Sequence, residues 1–257
     1  MTGDDHVLAR DLAGQAGQRL LELRAQGGEP DVLRKAGDRL SHEFLTAALA
    51  GQRPGDVVLS EEGADNPARL GARRVWIVDP LDGTREFGEP GRSDWAVHVA
   101  LWEKGDVSGP GDLTAGAVAL PAQGTVLSTA EPPPPLPEDV ASDRIRIVVS
   151  RSRPPSFVRN ISGLINAELV PLGSAGAKVA AVICGEVDAY VHGGGFYEWD
   201  TAAPVAVARA AGLHASRIDG SALAYNQPDL LMPDILVCRP AVAGILLRAI
   251  REVTHAS

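Results

Sequence analysis

The chain has two cysteines, Cys184 and Cys238, in 257 residues. That is too few for a disulfide framework, and they lack the C-x-x-C spacing of a redox or zinc motif, so both read as buried thiols in a reducing compartment. Positive charge is also short: 24 Lys and Arg against 33 Asp and Glu leave a net charge of -9. A nucleic-acid polymer needs a broad basic surface to displace counterions, so that class of partner is excluded. A small anionic substrate stays compatible if cations carry its recognition. No apolar run approaches the roughly 18 residues of a membrane span, and residues 1–6 are charged rather than the start of a signal core, so the expectation is a cytoplasmic protein without a membrane partner. Neither G-x-x-x-x-G-K-S nor G-x-G-x-x-G occurs, and Gly193, Gly194 and Gly195 read as a flexible turn. His6, His42, His98, His214 and His255 show no paired metal-binding spacing and are assigned structural or surface roles, with His192 at a strand end. No internal repeat is present.

What is there reads as α/β, 45% hydrophobic, enough for one large unit or two coupled lobes. Val7, Leu8, Leu12, Ala16, Leu20 and Leu23 recur at helical spacing over residues 4–25, before Gly27 and Gly28. A turn containing Lys35 follows, and a second helix is predicted from about Asp38, burying Leu40, Phe44, Leu45 and Ala48. Strands are predicted at 57–59, 75–78, 95–101, 115–120 and 125–128, with a hairpin turn at 103–106, giving helices on a largely antiparallel sheet. The proline run at 131–138 reads as a semi-rigid connector, with an SH3-type ligand as the weaker alternative. After it, strands near 145–149, 168–172, 187–191, 213–218 and 234–238 alternate with helices near 155–166, 175–184 and 201–211, and a last helix covers about 240–254. The predicted division is an N-terminal α+β lobe at 1–130, a connector at 131–140 and a C-terminal α/β lobe at 141–257.

The segment from Trp76 to Phe87, WIVDPLDGTREF, places two carboxylates and a hydroxyl at the end of an apolar strand. Pro80 keeps Asp79 extended and, lacking an N–H, is expected to stop sheet pairing. Asp79 and Asp82 then point into one small volume, where they repel unless a divalent cation neutralises them; Mg²⁺ suits such all-oxygen ligands. Gly83 permits close backbone approach, and Thr84 can open a helix whose N–H groups face an anion. An ordinary Asp-Pro and Asp-Gly turn fits the same residues. Glu61 and Glu62 follow the strand at 57–59 and read either as ligands or as a solvated turn. Asp200, in the segment EWDTAAP, reads as a ligand and equally as a helix N-cap, because Pro204 is tolerated only where backbone N–H groups are still unpaired.

Taken in order, Ser60-Glu61-Glu62, then WIVDPLDGTREF, then Trp199-Asp200-Thr201-Ala202-Ala203 resemble the Mg²⁺-dependent, lithium-sensitive inositol monophosphatase superfamily over nearly the whole chain. The resemblance implies an α/β (α+β layered) fold, the alternating α-β-α-β-α sandwich of inositol monophosphatases and sugar phosphatases. It implies one Mg²⁺ on Glu61, Asp79 and the Leu81 carbonyl, a second on Asp79, Asp82 and Asp200, and a third, weaker ion reached from Glu61 through water. Two metals about 3.5–4 Å apart suit in-line displacement at a phosphate monoester. By the same resemblance the phosphate lies against Gly83 and Thr84, the nucleophile is a metal-activated water, and Thr84 relays its proton toward an acid on the second helix. The chain departs from the family pattern there, reading LRKAGDRL over residues 33–40 without the family's threonine. Asp38 matches the acid, and it also fits an N-cap.

Three features resemble the CysQ-type branch, which acts on bisphosphate nucleotides: Glu198 before Trp199, Ser150-Arg151-Ser152-Arg153 after a strand, and GSAGAK over 173–178 before a helix. A bisphosphate nucleotide has a second phosphate outside the metal cluster, and Arg151, Arg153, Ser174 and Lys178 are the candidates to meet it. Plain surface arginines and a plain turn fit these positions about as well. The activity this resemblance implies is Mg²⁺-dependent removal of the 3′-phosphate of 3′-phosphoadenosine 5′-phosphate, with its sulfated relative as a further expected substrate, in sulfur assimilation. The competing readings are an inositol-1-phosphate or fructose-1,6-bisphosphate phosphatase, and a silent metal or phosphate binder. A homodimer and lithium inhibition are family expectations.

Overall fold

The computed structural model describes residues 4–105, 111–137, 144–152 and 154–255. Helix α1 (Asp5–Ala25) is capped by Asp4, whose carboxylate accepts the His6 N–H. Helix α2 runs Pro30–Gln52 with proline at its first turn, so it begins eight residues before the predicted start and the expected turn at Lys35 is helical. Gly37, inside this helix, is a close contact: a Cβ there would lie 2.8 Å from the Phe87 ring and 2.9 Å from Leu81. The bare backbone lets α2 press against the WIVDPLDGTREF segment.

Strands β1 (Val57–Ser60), β2 (Arg74–Asp82), β3 (Ala96–Glu103), β4 (Asp112–Leu120) and β5 (Thr125–Ser128) form the first sheet in that order, with the one-turn helix α3 (Thr84–Gly88) after β2. Only the β1–β2 pair is parallel. Pro80 does not end β2: the ladder skips from the Asp79–His98 pair to the Asp82–Ala96 pair, so the proline sits in an irregularity and pairing resumes. The predicted hairpin turn at 103–106 has its last residue outside the described ones.

Strands β6 (Arg146–Ser150), β7 (Glu168–Leu172) and β8 (Ala189–His192) belong to the second sheet, with helices α4 (Ser156–Ile165) and α5 (Ala175–Ile183) between them. The two-residue strand β9 (Phe196–Tyr197) leads into α6 (Glu198–Ala210); β10 (His214–Ser216), β11 (Leu231–Met232), β12 (Ile235–Cys238) and α7 (Pro240–His255) complete the chain. The second sheet has the order β10-β12-β8-β6-β7 and is mixed, while β9 and β11 pair as a small ribbon. Sequence periodicity does not reveal that ribbon, because two residues carry no period.

Three apolar clusters stack these elements into α-β-α-β-α layers. Leu12, Leu20 and Leu45 of α1 and α2 meet Trp76 and Val99 on one face of the first sheet. Its other face, with Ile77 and Val118, packs on α5 and α6, which in turn cover Val148 and Val237 of the second sheet. Val158 and Ile161 of α4 and Leu246 and Ile250 of α7 close the far face. Strand β3 is buried at every position but Glu103, because helices cover both faces. Leu136 of the proline run packs against the central cluster, and Arg239 donates to the Pro137 carbonyl. The run is therefore docked on the protein rather than presented as a free ligand.

At the edge of the first sheet, the Arg74 guanidinium reaches Asp56, Glu103 and Asp5, and Arg53 also donates to Asp5. Burial alone would raise the Asp5 carboxyl, but the two arginines outweigh it and hold it below its usual range. A depressed carboxyl stabilises the fold above its unfolded value and loses that contribution as pH falls through the folded one. Asp5→Asn is expected to cost about 1–2 kcal/mol at pH 7. Denaturant titration at a pH acid enough to protonate Asp5 in the folded protein should show the difference gone.

Candidate active site

The bend that ends β2 brings the predicted carboxylates together. Asp79, Asp82 and Asp200 each offer an oxygen, and the three lie within 4.8 Å of one another. Asp79 turns back across Pro80 to accept the Leu81 N–H at 3.0 Å. Glu61 stands beside it at the rim, with one side toward solvent. Burial first, then the charges of Glu61, Asp82 and Asp200, push Asp79 well above the ordinary carboxylate range. Burial and Asp200 likewise raise Glu61 to about 7, and burial and Asp82 raise Asp200 to about 6. Four carboxylates forced together this way fit hard divalent cations, which accept oxygen donors and cancel the repulsion.

Asp82 is the exception. Burial pushes it up, but His98, Lys178 and Ser174 outweigh burial and hold it at about 2. Its oxygens accept the backbone N–H groups of Ala175 at 3.0 Å and Gly176 at 2.6 Å and the Ser174 hydroxyl, and His98 Nε2 lies 3.2 Å away. These contacts come from the first turn of α5 and from β3, two elements that sandwich the carboxylate. Gly176 is required by the squeeze: a Cβ there would sit 2.1 Å from His98 Nε2. Gly176→Ala is expected to destabilise the fold by about 1–3 kcal/mol and to lower activity more than the stability loss explains, read from thermal unfolding and kcat.

Asp200 is not an N-cap. It occupies the third position of α6, and its Oδ2 accepts the Tyr197 N–H at 2.6 Å, closing the first turn from inside the helix. Pro204 lies well inside α6 rather than at its start, so the Asp200 carbonyl loses its helical donor. Asp38 is not an N-cap either, since it falls mid-way along α2. There the Thr84 hydroxyl lies 3.2 Å from Asp38 Oδ1 and 3.0 Å from the Leu81 carbonyl, and its single proton can serve one of them at a time. Burial and the Glu62 charge raise Asp38 to about 6. Gly83, before Thr84, takes φ 81°, a left-handed conformation that suits glycine.

Three of the four residues expected at a second phosphate are already engaged. The Lys178 ammonium is buried, donates to the carbonyls of Ser174 at 2.6 Å and Gly173 at 3.3 Å, and lies over the Tyr190 ring. It props the 173–174 loop from beneath and does not stand free for a ligand. Ser174 caps α5 through the Ala177 N–H and turns its own hydroxyl to Asp82. Arg151 pairs with Glu86 at 2.7 Å and Glu89 at 3.1 Å. Arg153 lies outside the described residues. Glu198 also faces inward, accepting the N–H groups of Asn226 and Gln227 at 2.7 Å each. The sequence reading missed His98, whose Nδ1 faces the Trp199 carbonyl at 3.1 Å while its other nitrogen faces Asp82. Only the β2–β3 register, which sets His98 opposite Asp79, would have signalled it.

A buried all-oxygen acidic cluster framed by α-β-α-β-α layers defines a class of metal-dependent phosphatases. The chain belongs to the inositol monophosphatase family, whose model matches residues 8–255. Among curated proteins, the 3′-phosphoadenosine 5′-phosphate phosphatase of Mycobacterium leprae is 51% identical over 97% of this chain and 94% of the relative. The 3′(2′),5′-bisphosphate nucleotidase CysQ of Escherichia coli (strain K12) is 30% identical over 84% of this chain and 91% of its own. Among solved structures, inositol monophosphatase-II from Staphylococcus aureus superposes with a TM-score of 0.80 at 21% identity, covering 97% of this chain and 96% of that one, which bears on the fold alone. CysQ from Bacteroides thetaiotaomicron gives a TM-score of 0.77 at 29% identity over 91% of this chain and 97% of that one. Among the described residues, no helix is long and apolar enough to cross a membrane.

Proposed function

We propose that this chain hydrolyses the 3′-phosphate of 3′-phosphoadenosine 5′-phosphate to give AMP and inorganic phosphate, with two or three Mg²⁺ ions, in sulfur assimilation. The observation that carries the reading is the near full-length 51% identity to a relative bearing that name, together with the converging Asp79, Asp82 and Asp200, beside which Glu61 stands at the rim. In this reading residues 1–130 supply Glu61, Asp79, the Leu81 carbonyl and Asp82, and residues 141–257 supply Asp200, joined through the proline segment. Bound Mg²⁺ supplies charge neutralisation and Lewis acidity at the phosphoryl group. The chain's own groups position and move protons. Asp79 would be a metal ligand, and Asp82, held in place through α5, would be another. Thr84 accepts a hydrogen bond from the attacking water and passes its own proton to Asp38, while Gly83 leaves room for the phosphate. Water attacks phosphorus in line and gives a proton to Thr84 as Thr84 gives its own to Asp38; the P–O3′ bond breaks, and the departing ribose oxygen takes its proton from a solvent water.

Cytoplasmic residence, a homodimer and inhibition by lithium complete the proposal. The test is kcat/KM for the bisphosphate nucleotide against inositol 1-phosphate and fructose 1,6-bisphosphate. A preference of about 100-fold or more for the nucleotide, equivalent to about 2.7 kcal/mol, is expected. Equal or inverted preference would return the site to a sugar or inositol phosphate.

A further inference from the structure

Two carboxylates of the cluster reach it from distant parts of the chain. Glu61 lies on the segment between β1 and the short 3₁₀ turn Pro67–Gly71, and Asp200 lies in the first turn of α6. Arg69, in that turn, and Glu198, two residues before Asp200, are each 1% exposed. Neither takes part in the chemistry above.

Between them sits the loop at 225–227. Arg69 Nη1 donates to Asn226 Oδ1 at 2.8 Å and Nη2 to the Gln227 carbonyl at 2.8 Å, while Asn226 Nδ2 donates back to the Arg69 carbonyl at 3.1 Å. Arg69 Nε is held by Asp65 at 2.7 Å. From the other side the Glu198 carboxylate takes both backbone N–H groups of Asn226 and Gln227, and Tyr225 donates to Thr201, the residue after Asp200. The loop is therefore clamped on one face to the Glu61 segment and on the other to residues on both sides of Asp200.

Burying a guanidinium and a carboxylate is costly, and apolar residues close a fold at least as well. What planar forks add is direction, since a bidentate contact fixes angle as well as distance. We infer that Arg69, Asn226 and Glu198 form a latch that sets the position of Glu61 relative to Asp200, so that they are positioning residues for metal binding. The inference rests on the proposed role of Glu61 and Asp200 as ligands.

The test is Mn²⁺ binding to the full-length protein, followed by electron paramagnetic resonance, alongside thermal unfolding. Asn226 adopts φ 58°, so Asn226→Gly keeps the loop conformation and both N–H groups to Glu198 while releasing Arg69. Arg69→Lys keeps the charge without the fork. Both variants are expected to bind Mn²⁺ about 10–100-fold more weakly, the usual effect of losing a support behind metal ligands. If either folded variant binds Mn²⁺ as tightly as the parent while its melting temperature falls, the network is structural only and the latch is overturned. If the parent protein itself binds no Mn²⁺, or Asp82→Asn binds it unchanged, the ligand assignment fails instead, and the latch with it.

Discussion

Asp79→Asn is expected to abolish phosphatase activity and at the same time to raise the melting temperature of the metal-free protein. The two effects have one origin. Asp79 is fully enclosed, and its neighbours Glu61, Asp82 and Asp200 are all acidic. Without cations this crowding opposes folding; with them it is the binding energy of the site. An amide keeps the shape and removes the charge, so metal affinity falls and transition-state stabilisation of several kcal/mol is lost, on the order of 10³-fold or more in kcat/KM. The sign of the stability change follows from linkage. Glu61, Asp79 and Asp200 are raised in the folded protein, so their favourable contribution is complete below the unfolded carboxylate range and is lost as pH climbs through the folded values, about 6 for Asp200 and about 7 for Glu61. In chelator, the parent protein should therefore melt higher at pH 5 than at pH 8. Each kcal/mol corresponds to about 2–4 °C for a chain of this size. Saturating Mg²⁺ should flatten that slope, and Asp79→Asn should reduce it in chelator. A parent protein whose metal-free melting point is indifferent to pH would contradict the account.

The second large effect is expected at Thr84. Thr84→Val preserves volume and β-branching but removes the hydroxyl that faces Asp38 and the Leu81 carbonyl. Loss of a positioned proton carrier is expected to lower kcat by about 10²–10⁴ with little change in metal binding. Thr84→Ser should retain most of the rate. Asp38→Asn should resemble Thr84→Val, and the double variant should be no slower than the worse single one, because groups acting as a unit do not add. Additive losses would separate Asp38 from the proton path and leave it as a buried helix residue.

Much of this site was legible because its residues are contiguous or punctuated. A strand that ends in Asp-Pro-Leu-Asp-Gly-Thr announces itself, and Glu61 and Asp200 sit beside recognisable strand and helix boundaries. The five-layer fold followed from the resemblance, while periodicity located most of its strands and helices. What failed to show was of another kind. The second helix was expected to start only near Asp38, after a turn at Lys35, whereas it begins at Pro30 and carries Gly37 within it, where close contact with Phe87 and Leu81 outweighs the local cost of glycine in a helix. Arg151 and Lys178 were candidates for a second phosphate because charge is visible in sequence and partners are not. Lys178 is satisfied by two carbonyls and Arg151 by two glutamates, neither of which spacing reveals. His98 and Arg69 act through register and through a partner 157 residues away, respectively, and no local pattern encodes either.

The central helices also determine how the molecule comes apart. Every residue of α5 is buried, as are Thr201 through Ala208 of α6, because these helices have a sheet on each side. Neither half of the chain possesses a spare layer to cover what the other would leave bare. Fragments divided at the proline run would each present a naked apolar wall and would aggregate or recombine, so the protein should melt in a single transition. A nick in that run should leave the two pieces associated through chromatography.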